Sequence, residues 1–220
     1  MEINQAINLI QTFQSNSLKR QIQTIENSCV NKTYLMIGED LSQLNVDVNT
    51  FKAALAIKQI SNQIHVTVHT LGIMLSLPYI LKPDEIILEL SLGAGSAGKD
   101  FDLSTDLQIA EFKFIQWQER GNAVRLKNVF KDFFYLSEYD TQKKKRLYVI
   151  NKEYTLRFLN GDRTIRKITN HREKFGSDFA EKHGDRFNKI YEYYQYMKDE
   201  VEIVDLLEIL PEEISNPLTR

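Results

Sequence analysis

Apolar positions fall at helical spacing through the first third of the chain and at strand spacing through its middle. Ile3, Ile7 and Ile10, with Ala6 and Leu9, recur every three or four residues, and so do Leu18, Ile22 and Ile25. That period puts them on one side of a helix. Phe51, Leu55, Ile57 and Ile60 continue the pattern, with Asn49 or Thr50 as the expected N-cap. Residues 64–70 read equally as the continuation of this helix or as a strand, and Pro83-Asp84 marks a break.

At residue 85 the texture changes. Residues 85–92 read as a strand, 93–99 as a glycine-rich loop, 101–105 as a short strand and 107–115 as a longer one. Short strands so closely spaced suggest an antiparallel meander. Val124, Leu126, Val129, Phe130, Phe133 and Leu136 then mark a helix over residues 120–138, and residues 145–151 read as a further strand. Beyond it, residues 185–201 predict an amphipathic helix with Phe187, Ile190, Tyr194 and Met197 facing inward. Residues 201–210 fit a strand or a helix end. No repeat or linker separates these parts, so a single domain over residues 1–220 is expected, with a helical N-terminal region 1–80 and a C-terminal elaboration 152–220.

Composition narrows the class. A hydrophobic fraction of 42% and a charged fraction of 26% are those of an ordinary globular protein. The single cysteine, Cys29, leaves no disulfide framework and fits a reducing, cytoplasmic compartment. The four histidines lack zinc-like spacing; His65 and His69 are one helical turn apart with no third ligand in view, and a satisfied or solvent-facing pair is expected. No secretory leader is recognisable at the N-terminus, and the most apolar stretch, residues 64–81, is short for a membrane span. Charge is unevenly distributed. Residues 85–112 carry one basic and six acidic side chains, whereas residues 113–176 carry sixteen basic and seven acidic ones. An acidic cluster followed by a basic block suits a metal site beside a polyanion track, although charge runs are commonly just solvated faces.

The strand around residue 111 carries the candidate chemistry. Alternation places Glu111, Lys113 and Ile115 on one face and Ala110, Phe112 and Phe114 on the other. A glutamate and a lysine on an otherwise apolar strand are costly to bury unless they are paired or bind something. Asp102 lies nine residues before Glu111, and a tight antiparallel connection brings the two carboxylates together. Such oxygen ligands suit Mg²⁺ or Mn²⁺. Lys113 would then position or deprotonate an attacking water, or neutralise charge developing on phosphorus.

The pattern Asp102 … Glu111-Phe112-Lys113 resembles the PD-(D/E)xK nuclease superfamily, over about a third of the chain. The resemblance implies an α/β fold with a restriction-endonuclease-like core: a helix, a three-stranded meander, a helix and a further strand, here about residues 85–151. It implies metal-dependent hydrolysis of phosphodiester bonds, in DNA, with Asp102, Glu111 and Lys113 catalytic and Asp102 and Glu111 binding Mg²⁺ or Mn²⁺. Gln116 resembles a glutamine that many members carry just after the lysine. Lys99, Arg125 and Lys127 are expected phosphate contacts by position and charge. Double-strand cleavage with one site per chain would favour a homodimer. The family often takes another acid from the first core helix, but no acid lies between Asp47 and Asp84 here. Glu89, or Glu85, is the candidate substitute.

Two other readings compete. The same fold could serve as a catalytically inactive nucleic-acid- or protein-binding module, with the three charges as a buried ion-pair cluster. Residues 93–99 also match the spacing of a phosphate-binding P-loop, which would imply a nucleotide-binding protein. Against that, Asp100 stands where a Mg²⁺-ligating Ser or Thr is required, and strand rather than helix is expected after the loop. The basic run 143–146 and the aromatic residues Tyr191, Tyr193 and Tyr194 are further candidates for contact with a nucleic acid.

Overall fold

The structure, a computed structural model, describes residues 2–29, 43–92, 100–114, 123–169 and 173–218. The chain divides into two compact units, Met1–His65 and Val66–Arg220. Among its described residues the first unit is helical, as its periodicity predicts. It contains α1 (Ile3–Gln14), α2 (Leu18–Cys29) and the start of α3 (Val48–Ile80). The cap of α3 is neither Asn49 nor Thr50. Asp47 Oδ1 accepts both of their backbone N–H groups, at 2.7 and 2.8 Å, satisfying two of the free donors of the first turn.

The second unit is an α/β structure built on one five-stranded mixed sheet. Its strands are β1 (Ile87–Leu90), β2 (Leu103–Thr105), β3 (Gln108–Lys113), β4 (Lys144–Val149) and β5 (Glu202–Asp205), adjacent in that order. β1, β2 and β3 form the antiparallel meander, and β3, β4 and β5 run parallel. A parallel pair needs a crossover, and α4 (Ala123–Glu138) supplies it between β3 and β4. α5 (Lys152–Leu159), α6 (Lys174–His183) and α7 (Ile190–Met197) lie in the connection from β4 to β5, and α8 (Glu212–Leu218) comes after β5.

Residues 66–70 are helix, part of α3, and not strand. Tertiary packing decides against their β-branched content. His69, Gly72, Ile73, Ser76, Leu77 and Ile80 recur at helical spacing, and all are buried or half-buried, while Leu71, Met74, Leu75 and Tyr79 are exposed. This face joins Leu103, Ala110, Phe112 and Tyr148 in one core cluster, to which Phe114 adds its ring. The opposite face of the sheet presents Ile109, Leu147 and Val149 to α4, α6 and α7, around Phe130, Phe133, Phe179 and Tyr193. Alternation along β3 is therefore as the sequence predicts: Ala110 and Phe112 face one layer, and Ile109, with Glu111 and Lys113 in its phase, faces the other.

The helix expected over residues 185–201 is shorter. It starts only at Ile190, because Lys189 forms an isolated bridge with Thr164 and Ile190 N–H is held by Arg163 O at 2.9 Å. Ile190 and Tyr194 nonetheless face the core, as does Tyr193. Residues 202–205 resolve the last ambiguity as a strand, so the C-terminal region completes the sheet.

Candidate active site

Every residue of the candidate site that lies in the described regions belongs to the second unit. The register of β2 with β3 pairs Leu103 with Ala110, and one further step sets Asp102 opposite Glu111. Asp102 is pinned by its own backbone, whose carbonyl accepts the Ser91 N–H at 2.8 Å. Its side chain then docks on the strand that carries the motif. Oδ2 accepts the backbone N–H of Phe112 at 2.9 Å, between Glu111 and Lys113. Oδ1 lies 3.2 Å from Nε2 of His69, on α3. The Asp102 carboxyl also acts on Glu111, raising its pKa. The Lys113 ammonium lies 3.5 Å from Glu111 Oε2 and 2.5 Å from Asp132 Oδ2, on α4. The three side chains singled out in the sequence are thus brought together, with two companions that were not.

Charge in this cluster is unevenly shared. Burial works against the Asp102 charge, but the His69 hydrogen bond, the Lys113 ammonium and the Phe112 N–H outweigh it and hold this carboxyl below its usual range. Burial pushes Glu111 the other way, well above its usual range. The negative charges of Asp132 and Asp102 add to that rise, and Lys113 only partly offsets it. Burial alone would strip the Lys113 proton, yet the carboxylates of Asp132, Glu111 and Asp102 raise its pKa instead. Lys113 is therefore held as a cation, and Glu111 holds its proton more tightly than a free carboxyl does.

The two added residues carried weak signals. Asp132 is three residues after Val129 and four before Leu136, on the inward face of α4, and an acid on an apolar helix face needs a partner. His69 shares the inward face of α3 with Ile73 and Ser76, a pattern hidden while residues 64–70 could be read as strand. The ring of Phe114 stands edge-on to His69, with centroids 6.1 Å apart.

Other candidates do not converge on this centre. Glu89 is exposed on β1 opposite Ser104 and is not among the main influences on Asp102, Glu111 or Lys113. Glu85 accepts hydrogen bonds from Thr105 Oγ1 at 2.6 Å and Gln108 Nε2 at 2.7 Å, which tie the meander together. Lys127 is paired with Glu173, and Arg125 is half-buried near the start of α4. Lys99, Gln116 and Ile115 lie outside the described residues. The basic run 143–146 sits at the other end of the parallel strand pair: Lys144 is opposite Gln108, while Lys113 is opposite Val149. Lys143 donates to Ser104 Oγ, Lys145 binds Ser137 O and Glu200, and Arg146 binds Glu202 and Gln108, so three of the four residues in this run help to hold the fold.

The glycine loop, residues 93–99, also lies outside the described residues. Immediately after it, residues 100–102 bend directly into β2, and no helix opens there whose N-terminus could face a phosphate.

Among the described residues, no group of three or more His, Cys, Asp or Glu side chains forms a ready-made metal cage. The donor set still fits one kind of ion. Mg²⁺ is commonly bound through one or two carboxylates, with waters and substrate phosphates completing its shell, rather than by an all-protein cage. Asp102 and Glu111 supply such a pair, with the negative charge of Asp132 beside Glu111 as well.

Among the described residues, no helix is long and apolar enough to cross a membrane. No family model, curated protein or solved structure matches this chain.

Proposed function

We propose that this protein is a metal-dependent nuclease of the PD-(D/E)xK type, hydrolysing phosphodiester bonds in DNA. The observation that carries the reading is the docking of the Asp102 carboxylate on the Phe112 N–H, which sets it beside Glu111 and Lys113. Three charged side chains, separated by up to eleven positions in sequence, meet at one end of β3. The order of elements supports it too. A helix, an antiparallel meander, a crossover helix and a parallel strand succeed one another in α3, β1, β2, β3, α4 and β4, which is the order the resemblance implies.

In this reading Asp102 and Glu111 would hold Mg²⁺ or Mn²⁺, and the ion would supply Lewis acidity toward a phosphodiester oxygen. Asp102 is ionised and oriented in advance by Phe112 and His69. Glu111, whose pKa burial raises, would face such a cation as a carboxylate. Lys113, held cationic among carboxylates, stabilises the negative charge that develops on the phosphoryl oxygens; the same charge state makes it unsuited to accept a proton from water. His69 enters from the first core helix, at the place where the resemblance leads one to look for an acid.

One observation favours a second reading, that of a binding module without catalysis. Lys113 already lies between Glu111 and Asp132, so the cluster partly neutralises itself without any ion. A plasmid assay separates the two. Supercoiled and linear DNA are incubated with Mg²⁺, Mn²⁺ or EDTA beside Lys113→Ala. The nuclease predicts nicking or cutting in either metal, none in EDTA and none in the variant. DNA binding without cleavage in every metal would replace it with the second reading.

A further inference from the structure

Asp132 is an acid that the stability of α4 does not call for. Its neighbours on the inward face, Val129, Phe133 and Leu136, are fully buried, and its own side chain is only 10% exposed. A buried ion pair commonly adds no more stability than apolar residues of the same volume would. Oδ2 of Asp132 is buried and, among the described residues, finds no N–H or O–H in hydrogen-bond geometry. What answers it is the charge of Lys113, 2.5 Å away. Among the described residues, the lysine has one other close carboxylate oxygen, Glu111 Oε2 at 3.5 Å. A four-carbon side chain is flexible, and α4 supplies the nearer of its two anchors.

We propose that Asp132 is a positioning residue, which reaches from α4 to hold the Lys113 ammonium beside Glu111 and so fixes the cation of the site relative to the Asp102–Glu111 pair. Its value for catalysis rests on the nuclease reading above, whereas the holding of Lys113 does not. The geometry assigns Asp132 to the lysine rather than to a metal. Asp102, just ahead of β2, lies opposite Glu111 of β3 by the strand register, while Asp132 comes from α4 with the ammonium in direct contact.

The test uses the full chain, with Asp132→Asn, Asp132→Glu, Lys113→Ala and the Asp132→Asn/Lys113→Ala pair, and three readouts. The first is the side-chain ammonium resonance of Lys113 in a ¹H–¹⁵N spectrum. It is expected to be visible and slowly exchanging in the parent and in Asp132→Glu, and broadened away in Asp132→Asn. The second is Mn²⁺ affinity, and the third is single-turnover DNA cleavage. Asp132→Asn is expected to cleave about 10–100-fold more slowly with Mn²⁺ affinity changed by less than about twofold, and the pair is expected to be no slower than Lys113→Ala alone. An ammonium resonance unchanged in Asp132→Asn, Mn²⁺ affinity that falls in step with cleavage, or rate losses that multiply in the pair would each overturn the assignment. If the parent does not cleave DNA at all, the nuclease reading fails, and the resonance still decides whether Asp132 holds the lysine.

Discussion

One carboxylate oxygen of Asp102 accepts the main-chain N–H of Phe112 at 2.9 Å, tying the acid ahead of β2 to the residue between Glu111 and Lys113. This bond fixes both the register of the meander and the orientation of the acid, and it separates two roles. Asp102→Ala leaves a partly buried N–H unsatisfied and is expected to lower stability by about 1–3 kcal/mol. Asp102→Asn keeps an acceptor oxygen there and is expected to cost less, yet to lose cleavage as fully. Urea unfolding and DNA cleavage, measured side by side, check this. An Asp102→Asn protein that cleaves at the parent rate would show that the charge is not used.

His69 contacts the other oxygen of Asp102. His69→Ala should therefore act mainly through that carboxylate. The expected result is an approximately 10–100-fold loss of Mn²⁺ affinity or cleavage rate, with a loss of stability of about 1 kcal/mol. His69→Gln, which can still donate to Asp102, should recover part of the function. Equal defects in both variants would mean that packing against Phe114, rather than the hydrogen bond, is what matters.

The shifted carboxyls predict how stability varies with pH. Glu111 has its pKa raised by folding, so its folded form holds a proton that the unfolded chain has released. The stability linked to that proton is complete below the usual glutamate pKa of about 4.3 and is lost as pH rises through the higher folded value. Asp102 is the reverse: its lowered pKa gives stability above the usual aspartate range that is lost as pH falls through the folded value. In metal-free buffer, Glu111→Gln should remove the decline on the alkaline side and leave the acid limb in place. Excess Mn²⁺ should also flatten the decline in the parent, since the ion takes the place of the proton. Urea unfolding over a pH series measures both. Parallel curves for the parent and Glu111→Gln would refute the assignment of the decline to Glu111.

Seating α3 against β3 depends on one missing side chain. A Cβ at Gly72 would lie 2.5 Å from Cζ of Phe114, well inside contact distance. Gly72→Ala gains helix propensity but must displace the ring that stands beside His69. The expected balance is a loss of about 1–3 kcal/mol, read by thermal or urea unfolding. A more stable Gly72→Ala protein would mean that Phe114 moves aside freely.

Much of the second unit was legible in the sequence because its signals are local. The alternation around Glu111 and Lys113 predicted their shared face, and the close spacing of the short strands predicted the meander. The spacing of Val129, Phe130, Phe133 and Leu136 predicted α4, whose residues from Ala123 onward are described. What was not legible depended on packing. Residues 66–70 hold β-branched residues that a strand would also accept, and the face formed by Ile73, Ser76 and Leu77 makes them helix. That ambiguity concealed His69. Asp132 was concealed differently, as one acid among many charges on α4, because its partner lies on another element. The basic run 143–146 looked like a polyanion track by composition, but Glu200 and Glu202, more than fifty residues later, engage Lys145 and Arg146.

The most direct test of the central claim is a Mn²⁺ titration monitored by electron paramagnetic resonance, on the parent and on the Asp102→Asn/Glu111→Gln variant. The signal of free Mn²⁺ should diminish as the parent takes up the ion at neutral pH, with weaker uptake in acid as Glu111 regains its proton, and the double variant should leave the signal unchanged. Equal uptake by both proteins, or none by the parent with DNA present, would show that these two carboxylates do not form a metal site.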